Sequence, residues 1–340
     1  MSKTRSFVSR LGCSYVLSRR QSEEYHTRGK EKIMTGKTPR VLVLLSSYNG
    51  EKYIKEQIDS VMNQEAVEVF LLIRDDGSTD KTIDIIREES KRNSSISLIC
   101  GQNYGYAKSF MTLCLEATKL DYDFFAFCDQ DDVWLPEKLK VATSNLIKTK
   151  DGPSLYLSQA KIVDEKLNPI KSSFHNRLID LGPVLEHNFA IGTTMVFNRE
   201  LLDLLSIDID KMCLTCGHDS WVFLVALAVN AAITYDTEGY LLYRQHGDNA
   251  SGKITSLSQK IKAIKKIFFK WKGARLDSAN KLLLSYDQYL SKDNRSLLCE
   301  ASQYKESIKK KRAFVKNKRM KSNYFIVDFL FRIAVLFNLF

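Results

Sequence analysis

Between residues 41 and 134, short apolar runs alternate with amphipathic segments, and the runs stop at polar clusters. Residues 41–45 (VLVLL) are continuously apolar, the pattern of a strand buried on both faces of a parallel sheet. That run breaks at 46–50 (SSYNG), a turn-forming set, and residues 51–64 then carry apolar side chains at 54, 58, 61 and 62, which is helical spacing. The cycle repeats. A strand over 67–73 stops at 74–78 (RDDGS), a helix covers 80–90, a third strand covers 96–100 and a third helix 106–118. A fourth strand, 123–128, ends in 129–132 (DQDD). Strands alternating with helices require right-handed crossovers and predict an α/β fold with a mostly parallel sheet flanked by helices. Such sheets bind ligands beyond the carboxyl ends of their strands, where these polar clusters fall.

Farther along, the pattern is more mixed. Residues 155–157, 193–197 and 240–244 read as strands, and 219–229 as an apolar helix. After Gly252 the chain turns helical and basic. The net charge is +11, but residues 255–321 hold 19 Lys+Arg against 5 Asp+Glu, and residues 1–40 hold 10 against 3. The stretch 41–254 is acidic, 21 against 31. A nucleic-acid binder carries its positive charge on the folded body, interleaved with aromatics, so this distribution argues against nucleic acid. It fits peripheral contact with an anionic membrane, or simply solvated helical faces. The last 17 residues, 324–340, are strongly apolar but interrupted by Asp328 and Arg332, which share a helix face and can pair. Spanning a bilayer takes about 20 residues, so this segment is expected to lie in an interface.

Seven scattered cysteines suggest a reducing cytoplasm. Cys213 and Cys216 have the spacing of a metal knuckle but lack the second pair that a structural zinc needs. Residues 1–38 read as a disordered basic leader without the apolar core of a secretory signal, and Met34 is a candidate start.

The acidic cluster carries the most chemistry. Asp129, Asp131 and Asp132 repel one another unless something positive sits among them. A divalent cation bridging a nucleotide diphosphate meets that need, and hard oxygen ligands select Mg²⁺ or Mn²⁺. The bland alternative, an acidic helix N-terminus before Pro136 and Glu137, accounts for one or two of the three. Asp75 or Asp76 can accept hydrogen bonds from ribose hydroxyls or a base N–H, with Ser78 or Asp80 as a helix cap. At the first strand end, Tyr48 can stack on a base and Ser46 can bond it.

Residues 45–50 (LSSYNG), 75–80 (DDGSTD) and 129–132 (DQDD), in that order and spacing, resemble the family 2 glycosyltransferases with a GT-A, Rossmann-like fold. Residues 192–195 (GTTM), 217–221 (GHDSW) and 243–247 (YRQHG) resemble the rhamnosyltransferase-like branch of bacterial polysaccharide assembly, and the likeness spans about residues 39–250. It implies that 39–150 is a nucleotide-sugar-binding half and 151–252 an acceptor-binding half, with 253–340 a basic, membrane-associating helical extension. Ser46, Tyr48, Asn49, Asp75, Asp76 and Asn103 would then hold the nucleotide sugar. Asp129 and Asp131 would form the Asp-x-Asp motif, Asp131 being the more direct metal ligand, and Asp129 would also meet the donor. Arg244 and His246 would steady the diphosphate or the metal, unless they simply end a strand. Asp219 matches the catalytic base. His218 stands where the family commonly has Glu, so the acceptor proton is shared between two candidates: the pattern favours Asp219, while a histidine titrates nearer neutrality.

These roles imply an inverting, metal-dependent transfer, with L-rhamnose from dTDP-rhamnose as the implied donor and a lipid-linked saccharide as acceptor. The enzyme would sit on the inner face of the cytoplasmic membrane. Two other classes compete. A nucleotidyltransferase on a similar sheet would carry a basic, Gly-rich phosphate loop after the first strand, and 46–50 supplies no Lys or Arg. A non-catalytic membrane-docked module would have no use for the carboxylates at 129, 131 and 219.

Overall fold

The first apolar run forms β1 (Arg40–Ser47), buried along almost its whole length. The computed structural model describes residues 37–149, 151–170, 178–207, 216–246, 273–322 and 324–340. Met34, Cys213, nearly all of the basic leader and the basic stretch 255–272 lie outside the described residues. The alternation in the sequence then appears element by element: α1 (Ile54–Met62), β2 (Glu68–Asp75), α2 (Thr82–Arg92), β3 (Ile96–Cys100), α3 (Tyr106–Ala117) and β4 (Phe124–Cys128). β3, β2, β1 and β4 lie side by side in that order, all parallel.

Beyond β4 the sheet becomes mixed. The chain runs through β5 (Val133–Trp134), α4 (Lys138–Ile147), β6 (Ser154–Val163), α5 (Leu181–Glu186), a 3₁₀ turn (Gly192–Thr194), β7 (Val196–Asn198), α6 (Arg199–Leu205), α7 (His218–Ala228) and β8 (Ala232–Arg244). The sheet order continues β4-β7-β6-β8-β5. β7 is antiparallel to β4 and β6, β8 is parallel to β6, and β5 is antiparallel to β8. The expectation of a mostly parallel sheet therefore describes the first half, and the second half mixes directions. β8 also begins eight residues before the expected strand at 240–244. Its early part contains Asp236, Glu238 and Gly239, poor strand formers, and the sheet accommodates them with register shifts against β6 around Gln159.

Period-two alternation divides the strand side chains between two cores. Val41, Val43 and Leu45 face α1, α2 and α4, with Ile58, Ile86 and Leu139 among the partners. Leu42, Leu44, Phe125 and Phe127 face the other way, onto α3 and α7. That second core continues into α8 (Ala274–Tyr286), α9 (Lys292–Gln303), α10 (Ile308–Lys316) and α11 (Phe325–Leu336) through Leu282, Tyr286, Leu298, Phe314 and Phe340. The C-terminal helices thus share the domain's core, and Thr38–Phe340 is one compact unit.

A polar knot fixes their position. The Arg319 guanidinium donates to both oxygens of Asp180 (3.2 and 2.6 Å) and to Asn294 Oδ1 (2.9 Å), while Asn294 Nδ2 donates to the Leu227 and Ala228 carbonyls at the end of α7 (3.0 and 2.9 Å). α11 is buried at Phe331, Ala334 and Val335 but leaves Phe325, Ile326, Phe329, Leu336 and Phe337 exposed. Asp328 accepts from Ser322 N (2.7 Å) and Ser322 Oγ (2.8 Å), so its carboxylate ties the first turn of α11 to the segment that precedes it. Among the described residues no helix is long and apolar enough to cross a membrane.

Candidate active site

The carboxyl ends of β1, β2 and β4 meet in one place, and side-chain bonds lace their loops together. Gln130 bridges two of them: its Oε1 accepts from Tyr48 N (2.8 Å) and its Nε2 donates to Tyr48 O (3.0 Å). Asn49 Oδ1 accepts from Thr79 N (2.9 Å), and Ser46 Oγ donates to Ser109 Oγ (2.7 Å). Asp75 is fully buried: Oδ1 accepts from Gly77 N and Ser78 N (3.1 and 2.8 Å), and Oδ2 from Ser47 and Ser78 hydroxyls (2.8 and 2.6 Å). Asp76 pairs with Arg74 and accepts from Tyr104 N and Gly105 N (2.9 and 2.8 Å). So four of the residues expected at the nucleoside, Ser46, Asn49, Asp75 and Asp76, hold the loops themselves. Tyr48, Asn49 and Asn103 are the exposed members of that set.

The loop after β4 gathers charge. Burial, then Asp131, then Asp219 push the Asp129 carboxyl up to about 7. Asp132, buried, is raised well above its usual range by burial and by Asp129 and Asp131. Asp131 Oδ2 lies 2.8 Å from His246 Nε2, and the imidazole packs on Tyr53 with ring centroids 5.1 Å apart. Arg244, expected to steady a diphosphate, is turned inward instead. Its Nε donates to Asp131 O (2.9 Å), one Nη donates to Glu165 O (2.7 Å) and the other pairs with Glu56. The guanidinium therefore fixes the backbone of Asp131.

Sequence reasoning passed over two residues here. Gln130 is the middle residue of the Asp-x-Asp motif, and Lys138 opens the helix that follows it. Lys138 Nζ is buried 3.6 Å from the Trp134 ring centroid, and burial brings it down to about 7. The aromatic residue and helix spacing around it were the only available signals.

Among the described residues no three His, Cys, Asp or Glu side chains are gathered closely enough to hold a metal ion by themselves. The expected triple of Asp129, Asp131 and His246 is accordingly reduced to one close pair with a carboxylate nearby. That donor set still fits Mg²⁺ or Mn²⁺, which bind through one or two carboxylates and complete their shells with phosphate oxygens and water. Burial first, and then the neighbouring carboxylates, raise Asp129 and Asp132, which is the behaviour of acids short of nearby positive charge.

Asp219 opens α7, where its Oδ1 accepts from Ser220 N (2.6 Å), and burial lifts its carboxyl to about 6. His218 points the other way. Its ring stacks on Phe110 at 3.9 Å and meets Phe127 edge-on at 5.1 Å, neither ring nitrogen has a hydrogen-bond partner among the described residues, and burial drives it down to about 3. A ring so placed behaves as a core aromatic, which removes the motive for giving it the acceptor proton. Gly192 explains the tight fit: a Cβ there would stand 2.6 Å from His218 Nε2. Tyr106, at the start of α3, completes the site, its phenol raised by burial, then by Asp219, Cys216 and Asp129.

This geometry defines an α/β protein with an acidic loop at its central strand end and a second carboxylate facing it. Residues 42–205 match the family model described as glycosyl transferase family 2. The dTDP-rhamnosyl transferase RfbG of Shigella flexneri is 29% identical over 244 residues, 67% of this chain and 80% of that protein. An uncharacterized glycosyltransferase of Nostoc is 34% identical over 227 residues, 62% of this chain and 66% of that one. Among solved structures, S. aureus TarS 1-349 in complex with UDP-GlcNAc superposes with a TM-score of 0.53 at 17% identity, covering 81% of this chain and 78% of that one, a likeness of fold. The chain is a glycosyltransferase carrying a family 2 domain over residues 42–205, with a GT-A-like fold.

Proposed function

We propose that the protein transfers a sugar, with inversion, from a nucleotide-diphosphate donor to a saccharide acceptor in the synthesis of a cell-surface polysaccharide. The observation that carries this reading is the convergence of Asp219 on the Asp129–Asp131 loop, close enough to raise the Asp129 carboxyl. One side of the site is then suited to a diphosphate and the other to an acceptor hydroxyl. Asp219, in its ionised form, takes the proton from that hydroxyl. The acceptor oxygen bonds to the anomeric carbon as the carbon–oxygen bond to the diphosphate breaks, and attack from the face opposite the nucleotide inverts the centre. Tyr48 and Asn103 are available to the nucleoside, while Asp75 and Asp76 keep its loops in shape. Asp131 and His246, with Asp129, would hold Mg²⁺ or Mn²⁺, which offsets the charge on the departing diphosphate.

The proposed donor is dTDP-rhamnose, supported by the likeness to RfbG. The test is nucleotide release from a panel of sugar nucleotides with Mg²⁺ or Mn²⁺, followed by NMR of the new anomeric linkage. Release from dTDP-rhamnose, loss in excess chelator and an inverted product are expected. Use of a UDP-hexose with dTDP-rhamnose inert rejects the donor, and full turnover in chelator rejects the metal.

The acceptor is proposed to be lipid-linked and met at an anionic membrane on the cytoplasmic face. Support comes from the exposed Phe325, Ile326, Phe329, Leu336 and Phe337 of α11, beside the exposed Lys309, Lys310 and Arg312 of α10. Basic residues near an anionic surface each contribute about 1 kcal/mol, and apolar side chains supply the insertion that charge alone does not.

A further inference from the structure

A cavity of about 160 Å³ opens along the second half of β6, lined among others by Ser158, Gln159, Phe189, Ile191, Thr194 and Tyr235. Register ties it to the site. Ala126 of β4 and Tyr156 of β6 both pair with Val196 of β7, and both strands run antiparallel to β7. β4 and β6 therefore flank β7, two strand spacings, about 10 Å, apart, and the chain leaves β4 at Cys128 directly into Asp129. The 3₁₀ turn between them belongs to both places. Ile191 and Thr194 line the cavity, while Gly192 lies against Asp219, whose Cβ would be 3.4 Å from a Cβ built on that glycine.

We propose that this cavity seats the acceptor's terminal sugar and selects an uncharged ring. The proposal rests on the transferase reading above and deepens its acceptor side. No lining side chain is charged. Gln159 Nε2 donates to the Tyr235 hydroxyl (2.7 Å), which leaves its carbonyl oxygen and second N–H to meet sugar hydroxyls, with Ser158 Oγ beside it. Phe189 and Tyr235, edge to face at 6.1 Å, give the apolar face of a pyranose an aromatic wall. A uronic acid or phosphorylated sugar would bring an anion into a place with no cation among its described lining residues. The volume is far above the roughly 15 Å³ that a single water needs, so the cavity has room for a ring rather than solvent alone.

Saturation-transfer NMR on the full-length protein tests this with methyl pyranosides as probes, neutral hexosides against the matching methyl uronides, and nucleoside-diphosphate binding measured in parallel. Neutral glycosides should bind at least tenfold more tightly than uronides. Gln159→Leu and Ser158→Ala should each weaken them fivefold or more, leaving nucleotide affinity and thermal midpoint unchanged. Equal binding of uronides, or neutral glycosides bound as well by both variants, overturns the proposal. Nucleotide binding with no glycoside binding overturns the cavity and leaves the transferase reading standing. Glycoside binding as expected with no nucleotide bound supports the cavity and defeats that reading.

Discussion

Asp219 and His218 are neighbours in sequence, yet burial treats them oppositely because each is disfavoured in its charged form. The carboxyl rises to about 6 and the imidazole falls to about 3. A base must be ionised to act, so transfer should climb as pH rises through about 6 and level off above it. Asp219→Asn should lower transfer by about 10²–10⁴-fold with nucleotide affinity unchanged, since its task lies with the acceptor. Retained transfer in that variant, with loss in His218→Leu, would move the base by one residue. The same shift has a sign in stability. A carboxyl raised above its usual value stabilises the fold at low pH, and that contribution is lost as pH rises through about 6. The amide should therefore be more stable than the parent at pH 8, by on the order of 1–3 kcal/mol, and equal to it near pH 4. Paired thermal melts at the two pH values measure this, and a variant less stable at pH 8 contradicts it.

At the scale of elements, what holds α7 matters most, because α7 carries Asp219 at its first turn. Its far end is gripped by Asn294, which Arg319 connects to Asp180 at the start of α5. Arg319 belongs to the stretch that reads as a basic surface, but here it serves packing. α5 lies so close to that segment that a Cβ on Gly182 would stand 2.0 Å from the Arg319 carbonyl oxygen. Gly182→Ala should consequently cost about 1–3 kcal/mol, because a backbone oxygen cannot turn aside as a side chain can. Urea unfolding reads it directly, and an unchanged midpoint would mean that this contact is looser than the structure has it.

For the whole molecule, the open question is the surface on which it works. Flotation with vesicles rich in anionic lipid should carry the wild-type protein upward, less so at high salt. Phe325→Asp with Phe329→Asp should abolish flotation without unfolding, since both rings are exposed and stack on each other at 6.4 Å rather than on the core. Equal flotation of the two proteins, or of neither, removes α11 from any membrane role. The sequence by itself determined the strands β1 to β4 and the loops at their ends, because strands buried on both faces must be continuously apolar and their breaks are visible as polar clusters, whereas the order β3-β2-β1-β4 came from the structure. The second half was less legible: β8 is partly exposed and broken by Asp236 and Gly239, and β7 has three residues, too few for a period. Only tertiary structure decided that Asp75, Asp76 and Arg244 turn inward, that His218 is packed as an aromatic and that the basic tail completes the core. Those outcomes depend on which partners the fold brings within hydrogen-bond reach from far along the chain, as Arg244 meets Asp131 and Glu56, and a local pattern carries no record of such meetings.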